Sequence, residues 1–117
     1  MELWHNPKCS KSRAAKAALD EAGVTYTERR YLDEPPTADE LDEVLTKIGA
    51  EPWDITRMAE PLAKELDLKN LERDRKRWID VLVANPSLIQ RPIVMTDRGH
   101  AVVARDTESI QTVLDDV

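Results

Sequence analysis

Cys9 is the only cysteine of this 117-residue chain and lies in the stretch HNPKCSKSRAAKAALDEAG, residues 5–23. A free thiol has a pKa of about 8.5, so only a few per cent of it is ionised at neutral pH. The residues after Cys9 predict a helix, whose first backbone N–H groups favour an anion. Other groups that favour a negative sulfur are the cations of Lys8, Lys11 and Arg13 and the hydroxyls of Ser10 and Ser12. The stretch predicts a nucleophilic thiolate, and the alternative is a buried structural cysteine.

Three other positions could contribute to chemistry at this thiol. His5 stands upstream in the same loop, where it either orients the thiol or is a loop histidine with satisfied hydrogen bonds. Arg91 precedes Pro92 inside a strand pattern, and proline there indicates a strand edge, a bulge or a cis bond beside a site. Arg105 ends the last predicted strand and can point toward the first helix. A solvated surface position is the alternative for either arginine.

The order of predicted elements indicates the fold. A strand at residues 1–4, a helix over 10–22 and a strand over 24–32 form a β-α-β start, which implies a parallel pair of strands. Several helices follow, among them one over 71–84 with Leu71, Trp78, Val81 and Leu82 facing inward. A strand over 87–96, interrupted by Pro92, a turn at 97–100, a second strand and a last helix complete the chain. The sequence predicts an α/β fold with a four-stranded mixed sheet, of the thioredoxin-like type with a helical insertion.

The helix after "DEPP" has the clearest signals in the chain. Thr37 and Glu40 form a capping-box pattern. Apolar residues then recur at helical spacing before Gly49: Leu41, Val44, Leu45 and Ile48. At this length we expect one domain over residues 1–117, with the insertion at approximately 37–85.

Composition excludes several classes of function. A net charge of −6 argues against nucleic-acid binding. No apolar run approaches the ~20 residues that span a bilayer, and the first residues do not resemble a signal peptide. One cysteine cannot form an intramolecular disulfide, which favours a reducing, cytoplasmic location. We expect no metal site, because two histidines and one cysteine offer too few ligands. We also expect a monomer.

Five segments resemble the glutaredoxin-coupled arsenate reductase family, which has a thioredoxin-like fold. In chain order they are HNPKCSKSR, YLDEPPTADEL, TRMAEPLAKELDL, NPSLIQRPIV and ARDTESI. The resemblance implies that Cys9 attacks the arsenate oxyanion and forms a thiolate–arsenate adduct. It implies three arginines that bind the oxyanion and four residues that support the loop and the thiolate: Arg57, Arg91 and Arg105, and His5, Ser12, Arg13 and Pro92, the last in a cis peptide bond.

The same resemblance implies the source of electrons. The chain has no second cysteine, so an external small thiol, glutathione or an equivalent, must resolve the adduct together with a glutaredoxin-type partner. No bound cofactor is implied. Two alternatives remain open: a general thiol reductase of the same family, and a non-enzymatic regulator that binds RNA polymerase and senses thiol stress. Ser12 counts against redox switching, because that branch carries a Cys-x-x-Cys pair.

Overall fold

The computed structural model describes residues 1–117. The chain contains four short strands and five α-helices, in this order: β1 (Glu2–Trp4), α1 (Ser10–Glu21), β2 (Thr27–Arg29), α2 (Ala38–Ile48), α3 (Pro61–Glu65), α4 (Arg75–Ala84), β3 (Ile93–Met95), β4 (Ala101–Val103) and α5 (Thr107–Asp115). Single 3₁₀ turns lie at Pro52–Ile55, Leu68–Asn70 and Pro86–Leu88. The chain divides into two compact units, a first unit of residues 1–34 and 91–117 and a second unit of residues 35–90. The expected single domain stays a prediction.

The first unit contains a four-stranded mixed sheet in the order β2-β1-β3-β4. β1 pairs in parallel with β2 and antiparallel with β3, and β3 pairs antiparallel with β4. The parallel pair is joined through α1, and β3 and β4 are joined by a hairpin in which Gly99 has φ 84°. Only glycine adopts that backbone conformation without strain. The α/β class and the mixed four-stranded sheet predicted from the sequence are confirmed.

Both helices of the first unit pack on the same face of the sheet. Leu3 and Val94 lie opposite each other on β1 and β3 and are buried under one cluster of α1 and α5 residues. That cluster contains Ala15, Leu19 and Val113. Burying a leucine side chain contributes about 1.5–3 kcal/mol, and a small alanine lets the helix backbone approach the sheet. This packing fixes where the first turn of α1, and therefore Cys9, lies beside the sheet.

The second unit is a set of helices around its own buried side chains. The Thr37 side chain accepts a hydrogen bond from Glu40 N–H and the Glu40 carboxylate accepts one from Thr37 N–H, so the predicted capping box is present. Gly49 ends α2 in the left-handed conformation. The buried residues of α2 are Leu41, Val44 and Leu45, and those of α4 are Trp78, Ile79 and Leu82. Arg75 of α4 donates to Asp42 Oδ1 at 2.8 Å and holds α2 and α4 together at the surface.

Three element boundaries differ from the sequence prediction. β2 covers three residues rather than 24–32, because its partner β1 offers three residues to pair with. α4 begins at Arg75 with Asp74 as its N-cap, so Leu71 precedes the helix, and Val81 is half-buried while Ile79 is buried. β3 begins after Pro92, which has no N–H to donate, and upstream only Ile89 forms an isolated bridge, with Thr56. None of the helices combines the length and apolar character needed to cross a bilayer.

Candidate active site

Cys9 occupies the N-cap position of α1, at the end of a loop that Asn6 organises. The Asn6 carbonyl accepts from Cys9 N–H at 3.0 Å, and the Asn6 Oδ1 atom accepts from Lys8 N–H at 3.0 Å. The Cys9 carbonyl accepts from Arg13 N–H at 3.0 Å, which starts the helix. Asparagine followed by proline is a turn signal in the sequence, but that signal does not identify the two hydrogen bonds that Asn6 accepts. The loop presents the sulfur at the positive end of the α1 dipole.

The Cys9 thiol has a lowered pKa although it is largely buried. Burial of the sulfur, with 9 % of the residue exposed, raises the pKa. Hydrogen bonding from Ser12 N–H, from the Arg91 guanidinium and from Lys11 N–H, with the charge of Arg91, outweighs that effect and lowers it below the ordinary value. The predicted lowering of the thiol pKa therefore follows from the structure.

The groups responsible differ from those that the sequence suggests. The largest influences on the Cys9 pKa do not include the side-chain charges of Lys8, Lys11 and Arg13, and Lys11 contributes through its backbone N–H. All three side chains are exposed and extend into high-dielectric solvent, where their field at the sulfur is weak. The expectation that the charges of these three residues depress the Cys9 pKa stays a prediction. The cation among the largest influences is Arg91, which is distant in sequence.

Arg91 lies immediately before β3 and next to the thiol. The Arg91-Pro92 peptide bond is cis, as the resemblance implied. The Arg91 Nε atom is buried, and no protein atom accepts a hydrogen bond from it. Nearly all buried polar groups in proteins have a partner, and an unsatisfied charged donor is costly. The vicinity of Cys9 thus contains a guanidinium N–H that lacks an acceptor.

A buried hydrogen bond between His5 and Ser12 supports the loop that carries Cys9. His5 Nδ1 and Ser12 Oγ are 2.7 Å apart, and Ser12 Oγ also accepts from Asn6 N–H at 3.0 Å. Burial lowers the pKa of His5, and the charges of Lys16 and Arg30 lower it further, while Glu28 opposes them. The imidazole is therefore neutral at physiological pH. The structure favours a histidine that is satisfied within the loop and that fixes the Ser12 turn.

Arg105 and Arg57 are positioned by different units. Arg105 is exposed and lies between β4 and the N-cap of α5, directly after Ala104, whose N–H donates to the Pro92 carbonyl at 2.9 Å. That bond ties the Arg105 segment to the Arg91-Pro92 segment. Arg57 belongs to the second unit, where its guanidinium contacts Glu60 at 2.5 Å and the Ser87 carbonyl at 3.3 Å. The first unit brings Cys9 and Arg91 together, and the role of Arg57 stays a prediction.

Comparison with known proteins defines the class. Residues 4–113 match the model of the ArsC family. Over 115 residues the chain is 39 % identical to an arsenate reductase of Neisseria meningitidis, covering 97 % of each chain. It is 50 % identical over 117 residues to an uncharacterized protein in the glnII region of Streptomyces viridochromogenes, covering 97 % of this chain and 98 % of that one. A structure of an arsenate reductase from Vibrio cholerae superimposes with a TM-score of 0.86 at 32 % identity, covering 100 % and 98 % of the two chains.

The chain therefore belongs to the ArsC family and has the thioredoxin-like fold of its structural neighbours. Family membership and the resemblance drawn from the five sequence segments agree, and they extend over nearly the whole chain.

Proposed function

We propose that this protein reduces arsenate to arsenite, with Cys9 as the nucleophile. The observation that carries the proposal is the buried Arg91 Nε–H without an acceptor beside a thiol of lowered pKa. An oxyanion bonded to the Cys9 sulfur supplies the missing acceptor, and the planar guanidinium suits a tetrahedral oxyanion. The relatives named as arsenate reductases support arsenate as that oxyanion.

The first step forms a sulfur–arsenic bond. The Cys9 thiolate attacks arsenic, one arsenate oxygen takes up protons and leaves as water, and the product is a thiolate–arsenate adduct in which arsenic remains arsenic(V). Arg91 and Arg105 stabilise the negative charge that shifts among the oxygens. Arg57 is proposed as a third arginine toward the same oxyanion. Arg13 and Pro92 support the loop and the arginine segment.

The second step needs an external thiol, because the chain has no second cysteine. A small thiol such as glutathione attacks the Cys9 sulfur and forms a disulfide with it. The electron pair of the sulfur–arsenic bond passes to arsenic, which becomes arsenic(III), and arsenite leaves with the thiol proton. A glutaredoxin-type protein then exchanges thiol for disulfide and restores Cys9. Each turnover oxidises two external thiols, and no bound cofactor takes part. In this proposal the protein works as a monomer in the reducing cytoplasm.

The test is reconstitution from purified components. The protein, glutathione and a glutaredoxin are incubated with arsenate, and arsenite formation is measured. We expect turnover, its loss in Cys9→Ser, and a decrease of about 10²–10³-fold in Arg91→Ala and Arg105→Ala. Arg98→Ala, at the hairpin on the opposite end of β3 and β4, is the matched control and should keep wild-type activity. Inert arsenate together with rapid reduction of small mixed disulfides would instead identify a general thiol reductase.

A further inference from the structure

The first turn of α1, which lies at the Cys9 sulfur, has no buried apolar side chain of its own. The buried residues of α1 are Ser12, Ala15 and Leu19, and the two apolar ones lie beyond that turn. Burial raises the pKa of Cys9, and the N–H groups of Ser12 and Lys11 in this turn are among the groups that lower it. Their effect depends on where the turn lies. Polar contacts must therefore hold the turn in place.

Polar side chains recur along one side of α1 at intervals of four residues, at Ser12, Lys16 and Asp20. Residues four apart lie on neighbouring turns of the same side of a helix. Ser12 Oγ is 2.7 Å from His5 Nδ1, directly after β1, and the other two side chains make hydrogen bonds to Tyr26, directly before β2. This side of α1 therefore faces the parallel pair of strands with polar contacts.

Lys16 makes the central contacts of this row. Its ammonium group donates to the Tyr26 hydroxyl at 2.9 Å and lies 2.9 Å from Glu28 Oε1 on β2. The Tyr26 hydroxyl in turn donates to Asp20 Oδ1 at 2.6 Å. Hydrogen bonds with Tyr26 and Glu28 raise the pKa of Lys16, so the side chain stays a cation in this arrangement. Lys16 thus joins α1 to β2 one turn after Ser12.

The strand pairing connects these contacts to the loop that carries Cys9. Glu28 lies opposite Leu3 in the pairing of β2 with β1, and the next residue of β2, Arg29, accepts from His5 N–H at 2.8 Å. Side chains two apart on a strand share a face, so His5 and Glu28 lie on the face of Leu3, under α1. Arg30 also contacts the Glu28 carboxylate at 3.2 Å, but it follows β2 and does not involve α1. The bridge to Glu28 and the bond to His5 are therefore successive links between α1 and the paired strands.

We propose that Lys16 is a positioning residue for the Cys9 thiolate. Its contacts with Glu28 and Tyr26 hold the first turns of α1 against β2, and they thereby keep the N–H groups of the first turn directed at the sulfur. Lys16 acts through this geometry and not through the field of its own charge. The consequence for turnover rests on the proposed function, whereas the consequence for the thiol does not.

The first experiment separates position from charge. The rate of Cys9 alkylation by iodoacetamide is measured between about pH 5 and pH 9 in Lys16→Met and in Glu28→Gln. Both variants remove the bridge, but they change the net charge in opposite directions. We expect both profiles to move to higher pH, with a rate at neutral pH that is about 2–3-fold below wild type. Tyr26→Phe removes one partner of Lys16 without a change in charge and should move the profile the same way by a smaller amount.

Two further variants serve as controls. Lys16→Arg keeps a cation that can reach Glu28 and should stay close to wild type. Lys47→Met removes an exposed lysine that pairs with Glu43 at 3.3 Å in the second unit, and it should leave the profile unchanged. Circular dichroism checks folding, and if Lys16→Met does not fold, Glu28→Gln and Tyr26→Phe decide in its place.

Two results overturn the proposal. Opposite movements of the Lys16→Met and Glu28→Gln profiles would show that the charges act only through their field at the sulfur. Profiles of folded variants that coincide with wild type would show that the bridge does not position the thiolate.

The second experiment measures arsenite formation as a function of pH. The acid limb of the kcat/KM profile for arsenate reports the ionisation of the free enzyme, so in Lys16→Met it should move by the same amount as the alkylation profile. A loss of kcat/KM that is equal at all pH values would assign Lys16 to substrate binding and refute the positioning role. If arsenate is inert but the alkylation profiles move as expected, the proposed function fails while the positioning role of Lys16 stands.

Discussion

Replacing Arg91 with alanine should decrease the thiolate population of Cys9. The Arg91 guanidinium lowers the Cys9 pKa by hydrogen bonding and by its charge, against burial, which raises it. A hydrogen bond to a charged group contributes about 1.5–3 kcal/mol, and each 1.4 kcal/mol is about a factor of ten in an equilibrium constant. The Ser12 and Lys11 N–H groups remain and the sulfur is not fully enclosed. We therefore expect the lower end, about a tenfold loss of thiolate at pH values below the pKa.

The assay is the rate of Cys9 alkylation by iodoacetamide between about pH 5 and pH 9, followed by intact-protein mass spectrometry. The profile of Arg91→Ala should move to higher pH, and at high pH its rate should converge with that of wild type. Arg91→Lys keeps a cation but lacks the planar pair of guanidinium N–H donors, so its profile should lie between those of wild type and Arg91→Ala. Arg98→Ala is the matched control, and circular dichroism checks folding.

An Arg91→Ala profile that coincides with wild type in a folded protein would refute the reasoning. It would mean that backbone N–H groups alone stabilise the thiolate. A profile that moves equally in Arg98→Ala would point to the overall charge of the protein rather than to the contact.

Three further predictions concern stability. Thr37→Ala removes the side-chain half of the α2 capping box and should lower the free energy of unfolding by about 1 kcal/mol in urea titration. Asp67 has φ 53°, a left-handed conformation that glycine adopts more readily than alanine. Asp67→Gly should therefore be about 1 kcal/mol more stable than Asp67→Ala, although alanine is the more stabilising of the two residues inside a helix. Hydrogen bonds with Thr96 and His100 lower the pKa of Asp116 below 3.8. The stability they provide is present above pH 3.8 and is lost as the pH falls through the lowered pKa, so the difference in Tm from Asp116→Asn should vanish in acid.

Each of these predictions has a contrary outcome. Thr112→Ala, at an exposed interior position of α5, should cost less than Thr37→Ala, and equal losses would remove the special role of the cap. Equal stability of the two Asp67 variants would show that the left-handed backbone carries no penalty. A Tm difference for Asp116→Asn that persists at low pH would mean that the carboxylate charge is not its cause.

Features that depend on near neighbours in sequence were predictable. The α2 capping box, its stop at Gly49 and the buried row of Leu41, Val44 and Leu45 involve residues within a few positions of one another. Their geometry follows from helical spacing and from a single backbone conformation at glycine. The same holds for Cys9 at the start of α1. Strand lengths were less predictable, since β2 is limited by its partner β1 rather than by its own residues.

The sequence by itself determined that a thiol lies at a helix N-terminus among cations, and that an arginine precedes a proline near the last strands. Only the tertiary structure decided which cation acts on the sulfur. The pairing of β1 with β3 and the packing of α1 on that sheet bring Arg91 to Cys9, whereas the sequence neighbours Lys8 and Arg13 extend into solvent. The physical reason is that a charge acts strongly over a short, poorly solvated distance, and such distances are set by packing rather than by position along the chain.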